Sequence, residues 1–274
     1  MGPGAGRIQP AGWTQSDRTM GFRTFLWLAV MLASPALSPV GASAQESVKG
    51  TRPLAVVELF TSQGCGACPP ADALLSRLAD RGDVVALAFH VDYWDYLGWR
   101  DTLGSAENTA RQSAYGKHFG SRSVYTPQIV VNGRKPMSGG KTRMVESAIT
   151  HLESTGAGLT VEVSARYTKD SLLIEAGAAP GGGKAHVVVA FFEPATPIDI
   201  REGKNRGRKV VYRNSVLATQ SVGMWHGKAA RFELPITEMK KRNAGGCAVL
   251  LQAVSEDGLP GEIYGATIVA MPSS

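Results

Sequence analysis

The sequence predicts an α/β domain followed by an antiparallel β-sandwich-like domain. Three observations carry this. Residues 54–60 read as a buried strand that runs through a short turn into an amphipathic helix, and residues 84–91 form a second apolar strand, which together imply a right-handed parallel strand–helix–strand unit. Residues 124–153 add a proline-led strand, an Asn132-Gly133 hairpin turn and a closing helix. After Gly156-Ala157-Gly158 the texture changes to short strand candidates separated by Gly, Pro and Asp turns. With 274 residues the chain has room for two domains, and we place the boundary at about residue 156.

Residues 1–44 read as a signal peptide. Arg18 and Arg23 precede an apolar stretch over 25–33, then Pro35, Pro39 and the Ala42-Ser43-Ala44 cleavage pattern. The apolar stretch is far shorter than the roughly 20 residues a spanning helix needs. The signal is complete from Met20, an alternative start, and cleavage leaves Gln45 as the first residue. A periplasmic or secreted location follows.

Residues 54–60 are apolar and β-branched in the middle, as in a strand covered on both faces. Ala71, Leu74, Leu75, Leu78 and Ala79 then recur at spacings of three and four, so one stripe of the helix faces a core, and Gly82 ends it. Residues 92–101 form an aromatic and acidic loop, and a helix is expected over 106–118, so that about 92–122 is an insertion. Tyr93, Trp94 and Trp99 suit a substrate platform or lid beside the site; packing of the insertion is the alternative. Met144, Val145, Ala148, Ile149 and Leu152 form the stripe of the closing helix. Strand candidates follow at 159–165, 172–176, 185–192, 210–212, 229–234, 247–254 and 263–270.

Cys65 and Cys68 stand at the first strand-to-helix turn, at the carboxyl end of a strand where open α/β sheets place their sites. A thiol at a helix N-terminus meets the positive end of the macrodipole, which favours thiolate, so Cys65 is the expected nucleophile and Cys68 the resolving thiol. Pro69 and Pro70 place the start of regular helix near Cys68, which reduces the dipole's help to Cys65. A fixed structural disulfide and a Cu(I) site completed by His90 or His118 are the competing readings. The third cysteine, Cys247, lies in an apolar strand candidate and reads as a buried inert thiol, with a relay to Cys65 as the alternative.

Net charge is +6, and removing residues 1–44 leaves 26 basic against 22 acidic residues. Such a balance gives no footprint for nucleic acid without a clustered basic face. The one basic cluster, Arg201, Lys204, Arg206, Arg208, Lys209 and Arg213, reads as a solvated loop or an anion or partner contact. No Walker loop, HExxH zinc motif or GxSxG elbow is present.

The element order, with Cys-X-X-Cys at the first turn and Thr126-Pro127 before the third strand, resembles the thioredoxin fold. More closely, Glu58 through Cys65, Cys68-Pro69-Pro70-Ala71-Asp72, His90 through Trp99, Tyr125-Thr126-Pro127-Gln128 with Val131-Asn132-Gly133, and Gly203 through Arg208 resemble the secreted bacterial thioredoxin-like family catalogued as domain of unknown function 1223. That resemblance implies a thioredoxin-like domain at 45–156 and a β-rich domain at 157–274. It also implies a cis Pro127 facing the cysteines and a substrate-binding role for Thr126 beside it, with Glu58 as a proton relay to Cys68. Glu58 read simply as a strand residue, exposed or paired, is the alternative.

The expected activity is thiol–disulfide exchange on protein or small-molecule thiols, with Cys65 and Cys68 catalytic and Trp94, Thr126 and Pro127 shaping the substrate site. No dissociable cofactor, metal, nucleic acid or membrane partner is expected for the mature chain. A periplasmic copper-binding chaperone and a non-catalytic binding module with a structural disulfide are the competing functions.

Overall fold

The computed structural model describes residues 52–179 and 181–271, which fall in one compact unit. The expected signal peptide at 1–44 lies outside the described residues. The protein is a mixed α/β structure, mostly sheet with few helices.

The first half begins with strand β1 (Ala55–Thr61), helix α1 (Pro69–Arg81) and strand β2 (Val84–His90), and β1 and β2 pair in parallel from Ala55↔Val84 to Thr61↔His90. Both strands are buried throughout, as their largely apolar runs require, and they carry Glu58, Thr61 and His90 into the interior with them. Gly82, at φ 76°, terminates α1 in the left-handed conformation that glycine adopts without steric cost. Helix α2 (Ala106–His118) starts at Ser105, whose Oγ accepts from the Asn108 amide at 3.2 Å. Strand β3 (Gln128–Val131) pairs antiparallel with β1, and strand β4 (Lys135–Ser138) returns along it. Asn132 and Gly133 both have positive φ in the connecting turn, the pattern expected of Asn-Gly. Helix α3 (Thr142–Thr155) closes this half.

The boundary expected near residue 156 falls just after α3, but only some of the strands beyond it form a sheet of their own. The strands beyond it are β5 (Val163–Tyr167), β6 (Ser171–Ala176), β7 (Ala185–Asp199), β8 (Lys209–Trp225), β9 (Ala230–Pro235), β10 (Gly246–Val254) and β11 (Pro260–Ala270), with a short helix α4 (Ile236–Lys241) after β9. One eight-stranded sheet has the order β11-β10-β7-β8-β2-β1-β3-β4, so the second half extends the sheet begun by the first; β5, β6 and β9 form a separate three-stranded sheet. Two long strands join the halves. β7 and β8 make a hairpin from Ala185↔Trp225 to Asp199↔Lys209, and β8 also bridges to β2 at Ala88↔Ser215.

Three apolar clusters fill the layers. On one face of the large sheet Val56, Phe60, Leu87, Phe89, Tyr115, Phe192 and Leu250 share a cluster beneath α2, crossing from one half to the other. On the opposite face, Val57, Leu59, Ala86 and Ile129 pack against Leu74, Leu75 and Leu78 of α1 and Val145 and Ile149 of α3. Further along that chain, Val189, Phe191, Cys247 and Val249 pack against Leu172, Ile174 and Leu234 of the small sheet. None of the described helices is long and apolar enough to cross a membrane.

The sequence pattern understates β7 and β8, which run to 15 and 17 residues. Pro194 and Pro197 argue against a central strand. In the structure they lie beyond Phe192, where β10 no longer pairs with β7, so that side of the strand demands no ladder bond from them.

Candidate functional site

Cys65 and Cys68 are joined by a disulfide, with Cα atoms 5.4 Å apart. The chain leaves β1 at Thr61 and turns so that the Cys65 amide donates to Ser62 O at 3.0 Å and the Cys68 amide to Cys65 O at 3.2 Å. Cys68 is the N-cap residue of α1, and Pro69 and Pro70 occupy its first positions, where a missing N–H costs nothing. The amides of Ala71 and Asp72 donate to the Cys68 carbonyl. Cys65 therefore stands one turn before the helix rather than on it. Both cysteines are buried, whereas Gly66 and Ala67 between them are exposed.

Trp94, Thr126 and Pro127 converge on this turn. The Trp94 Nε1 donates to Thr126 Oγ1 at 2.7 Å, and a Cβ placed on Gly64 would lie 3.3 Å from Trp94 Cβ, so the indole's backbone end rests on the cysteine turn. The Thr126–Pro127 peptide is cis. Pro127 sits beside the first turn of α1: a Cβ on Gly139 would lie 3.0 Å from both Pro127 Cβ and Ala71 Cβ. Trp99 donates from Nε1 to Gln63 Oε1 at 2.9 Å, and Tyr93 donates to Gln112 Oε1, so the aromatic loop is wired to the site by polar bonds as well as by packing.

Glu58 stands elsewhere. It is fully buried on the face of β1 that also carries Val56 and Phe60, beneath α2, while Cys68 caps α1 on the other face. Arg111 donates to its Oε1 at 2.8 Å and the Tyr115 hydroxyl to its Oε2 at 2.5 Å. The expected relay from Glu58 to Cys68 is thus corrected: side chains alternate across a strand, and residue 58 has the parity of the wrong face.

An acid that sequence reasoning passed over lies on the right face. Asp72, in the first turn of α1, accepts from Thr61 Oγ1 at 2.6 Å. Burial raises its carboxyl to about 7, against the opposing pull of the Thr61 bond and of nearby His90. His90, paired in register with Thr61, places Nδ1 2.8 Å from Asp101 Oδ2, and neither side chain is exposed. Asp101 Oδ2 also accepts from the Gln63 amide at 2.8 Å, which marks it as an acceptor and holds the imidazole proton on Nδ1. His90 Nε2 is buried with no hydrogen-bond partner among the described residues. The Tyr212 ring stands edge-on to His90 with centroids 4.7 Å apart, and burial beside Asp72 and Asp101 pushes its phenol well up. The helix periodicity marks Asp72 only as a polar first-turn residue; its nearness to the end of β1 is the signal that identifies it.

The tip of the β7–β8 hairpin covers one side of the cysteine turn. Asn205, 4% exposed, donates through Nδ2 to Gln63 O at 2.8 Å and Cys65 O at 2.9 Å. The Lys204 stem lies against Gly66, its Cδ 3.3 Å from where a Cβ would stand. Gly203, at φ 71°, brings the tip within 3.1 Å of Trp99 Cβ, measured from the Cβ position that glycine leaves empty.

Cys247 is fully buried in the cluster under the small sheet, 3.7 Å from the Tyr167 hydroxyl, and is free. Burial pushes its thiol up to about 11. A copper site at Cys65 and Cys68 would need further ligands; among the described residues no group of three or more His, Cys, Asp or Glu side chains is arranged to hold a metal.

The family described as a protein of unknown function, DUF1223, matches residues 56–252, a span that takes in the cysteines, the aromatic loop, Thr126-Pro127 and the hairpin tip. The chain belongs to the DUF1223 family. A crystal structure of an Agrobacterium tumefaciens protein is 43% identical, covers 82% of this chain and 97% of its own, and has a TM-score of 0.74. HBP35 of Porphyromonas gingivalis is 14% identical over 81% of this chain and 77% of that one, with a TM-score of 0.58, a likeness of fold alone. No curated protein matches. In DUF1223 terms, the matched span ends at Gln252, whose Nε2 donates to the Tyr115 hydroxyl and so completes the Glu58 network.

Proposed function

We propose that the chain is an exported thiol–disulfide oxidoreductase built on a thioredoxin-like scaffold, with Cys65 as the exchanging thiol and Cys68 as the resolving one. The observation that carries this is the meeting of a Cys65–Cys68 disulfide at the N-cap of α1 with a raised carboxyl, Asp72, in the same helical turn. The strand order β2-β1-β3-β4 with α1 and α3 on one face supports the scaffold. Export is proposed from the sequence of residues 18–44 and agrees with an oxidised resting pair.

In the reducing direction the Cys65 thiolate attacks one sulfur of a substrate disulfide; the substrate S–S bond breaks, and a substrate thiolate leaves and takes a proton. The Cys68 thiol gives its proton to the ionised Asp72 carboxylate, attacks Cys65 Sγ and releases the second substrate thiolate. Two electrons pass from the cysteine pair to the substrate, and the Cys65–Cys68 disulfide is restored. The oxidising direction is the same sequence reversed. Thr126 and Pro127 form the wall against which the substrate lies, and Trp94 holds Thr126 in place.

A redox titration of the pair, coupled to an insulin-reduction assay on wild type and Cys65→Ala, tests this. We expect a reversible two-electron couple and turnover abolished by the substitution. A pair that is reduced only when the chain unfolds, with no turnover, sinks the proposal. The burial of Cys65, 2% exposed, favours one competing reading, a structural clasp. In that case a Cys65→Ser and Cys68→Ser double variant keeps every phenotype of the wild type.

A further inference from the structure

The tip of the β7–β8 hairpin, residues 199–209, carries five cations, Arg201, Lys204, Arg206, Arg208 and Lys209, against two carboxylates, Asp199 and Glu202. All five cations are exposed, and none is in an ion pair among the described residues, although the arginines Arg77, Arg81, Arg111, Arg134, Arg213 and Arg231 all are. A solvated loop elsewhere on the surface would need no comment. This one is fixed to the cysteine turn from 140 residues away, by the two Asn205 bonds to Gln63 O and Cys65 O.

Lys204 is the tip cation whose stem lies against the cysteine turn. Its Cδ, Cβ and Cγ lie 3.3, 3.4 and 3.9 Å from the Cβ position of Gly66, the residue after Cys65, so the stem lies against exposed Gly66 while the residue itself stays exposed. The carboxylates of the aromatic loop across the site are engaged: Asp92 Oδ1 accepts from Thr109 Oγ1 at 2.6 Å and Asp95 Oδ1 from the Asp101 amide at 3.0 Å.

We infer that the β7–β8 tip, centred on Lys204, selects anionic disulfides as the substrates of the Cys65–Cys68 pair, an inference that rests on the exchange reaction proposed above. Unpaired cations beside a reaction centre raise the local concentration of an anionic partner and speed its encounter, an effect of about tenfold to a thousandfold that salt weakens. The step is the balanced one already written: the substrate disulfide gains two electrons and two protons and leaves as two thiols, while the cysteine pair closes to its disulfide.

The test uses the reduced full chain and three small disulfides of similar size: dithiodiglycolate, which is anionic, 2-hydroxyethyl disulfide, which is neutral, and cystamine, which is cationic. Each rate is divided by the rate of a free dithiol with the same disulfide, which removes intrinsic leaving-group differences. At low salt the wild type should favour dithiodiglycolate over cystamine at least about tenfold. The preference should shrink at high salt, fall in Lys204→Gln and fall further or invert in Lys204→Glu. The neutral disulfide should react within about twofold of wild type in both variants, which also shows that they are folded. Lys169→Glu, the same charge change in the β5–β6 turn, should leave the preference intact. Equal normalised rates for the three disulfides, or a preference unmoved by Lys204→Glu, overturn the inference while leaving the exchange reaction standing. Failure of all three to react, the neutral one included, overturns the exchange reaction and the inference with it.

Discussion

The Thr61 hydroxyl donates a 2.6 Å hydrogen bond to Asp72 Oδ1, tying the last residue of β1 to the first turn of α1 four residues after Cys68. The bond favours the ionised acid, but burial outweighs it. Burial raises the carboxyl from 3.8 to about 7, so the folded chain retains a proton there that the unfolded chain has lost. The stability contributed by that proton is full below about pH 4 and is lost as pH rises through 7. Asp72→Asn keeps an acceptor for Thr61 and removes the charge. Denaturant midpoints should show the variant gaining on wild type by about 4 kcal/mol between pH 4 and pH 8.

The same substitution removes the proton acceptor proposed for Cys68. Single-turnover measurements should find resolution of a Cys65 mixed disulfide slowed by about a hundredfold at pH 8, with the rise in rate near pH 7 abolished. An unchanged pH profile would remove Asp72 from the chemistry.

Glu58 should behave differently, because its partners are Arg111 and Tyr115 under α2. Removing one partner of a buried ion pair leaves the other uncompensated, a loss of about 3–5 kcal/mol. Glu58→Gln should therefore lower the melting temperature strongly, and a Glu58→Gln/Arg111→Met double variant should recover part of the loss. The pH profile of the cysteine pair should not move in either.

Asn205→Ala leaves the buried carbonyls of Gln63 and Cys65 without their shared donor, at a cost of about 1–3 kcal/mol each if no water replaces it. The effect should be local. Limited trypsin digestion of the folded protein should show cleavage after Arg206 or Arg208 accelerated several-fold, with little change at other sites.

Cys247 should be inert. A thiol raised to about 11 is roughly one part in a thousand thiolate at pH 8, so alkylation in the folded state should lag that of a free cysteine by more than about a hundredfold. Cys247→Ala should leave turnover at the pair unchanged, which a relay through Cys247 forbids.

Much of the chain could be read before its fold was known. The Cys-X-X-Cys turn, the stripe on α1, the Asn132-Gly133 hairpin and the α2 limits each rest on neighbours a few residues apart, and each is where the pattern places it. The length of β7 was not legible, because two prolines argue against a strand until it is known that β10 stops pairing at Phe192, and the length of β8 follows from its pairing with β7. The Lys204–Asn205 contact was not legible either, since a basic glycine-rich loop looks the same whether it waves in solvent or closes on residues 63–66.

Glu58 and Asp72 show where the line falls. Local sequence is enough to say that both are acids beside the cysteine turn, that one is on a strand and the other on a helix, and that strand side chains alternate. It does not say which face of β1 receives α1, because that depends on the hand of the crossover and on what α2 and β8 cover from the other side. Assembly put α1 over Val57 and Leu59 and left Glu58 to Arg111, and in doing so made Asp72, in the turn that Cys68 caps, the acid on the α1 face.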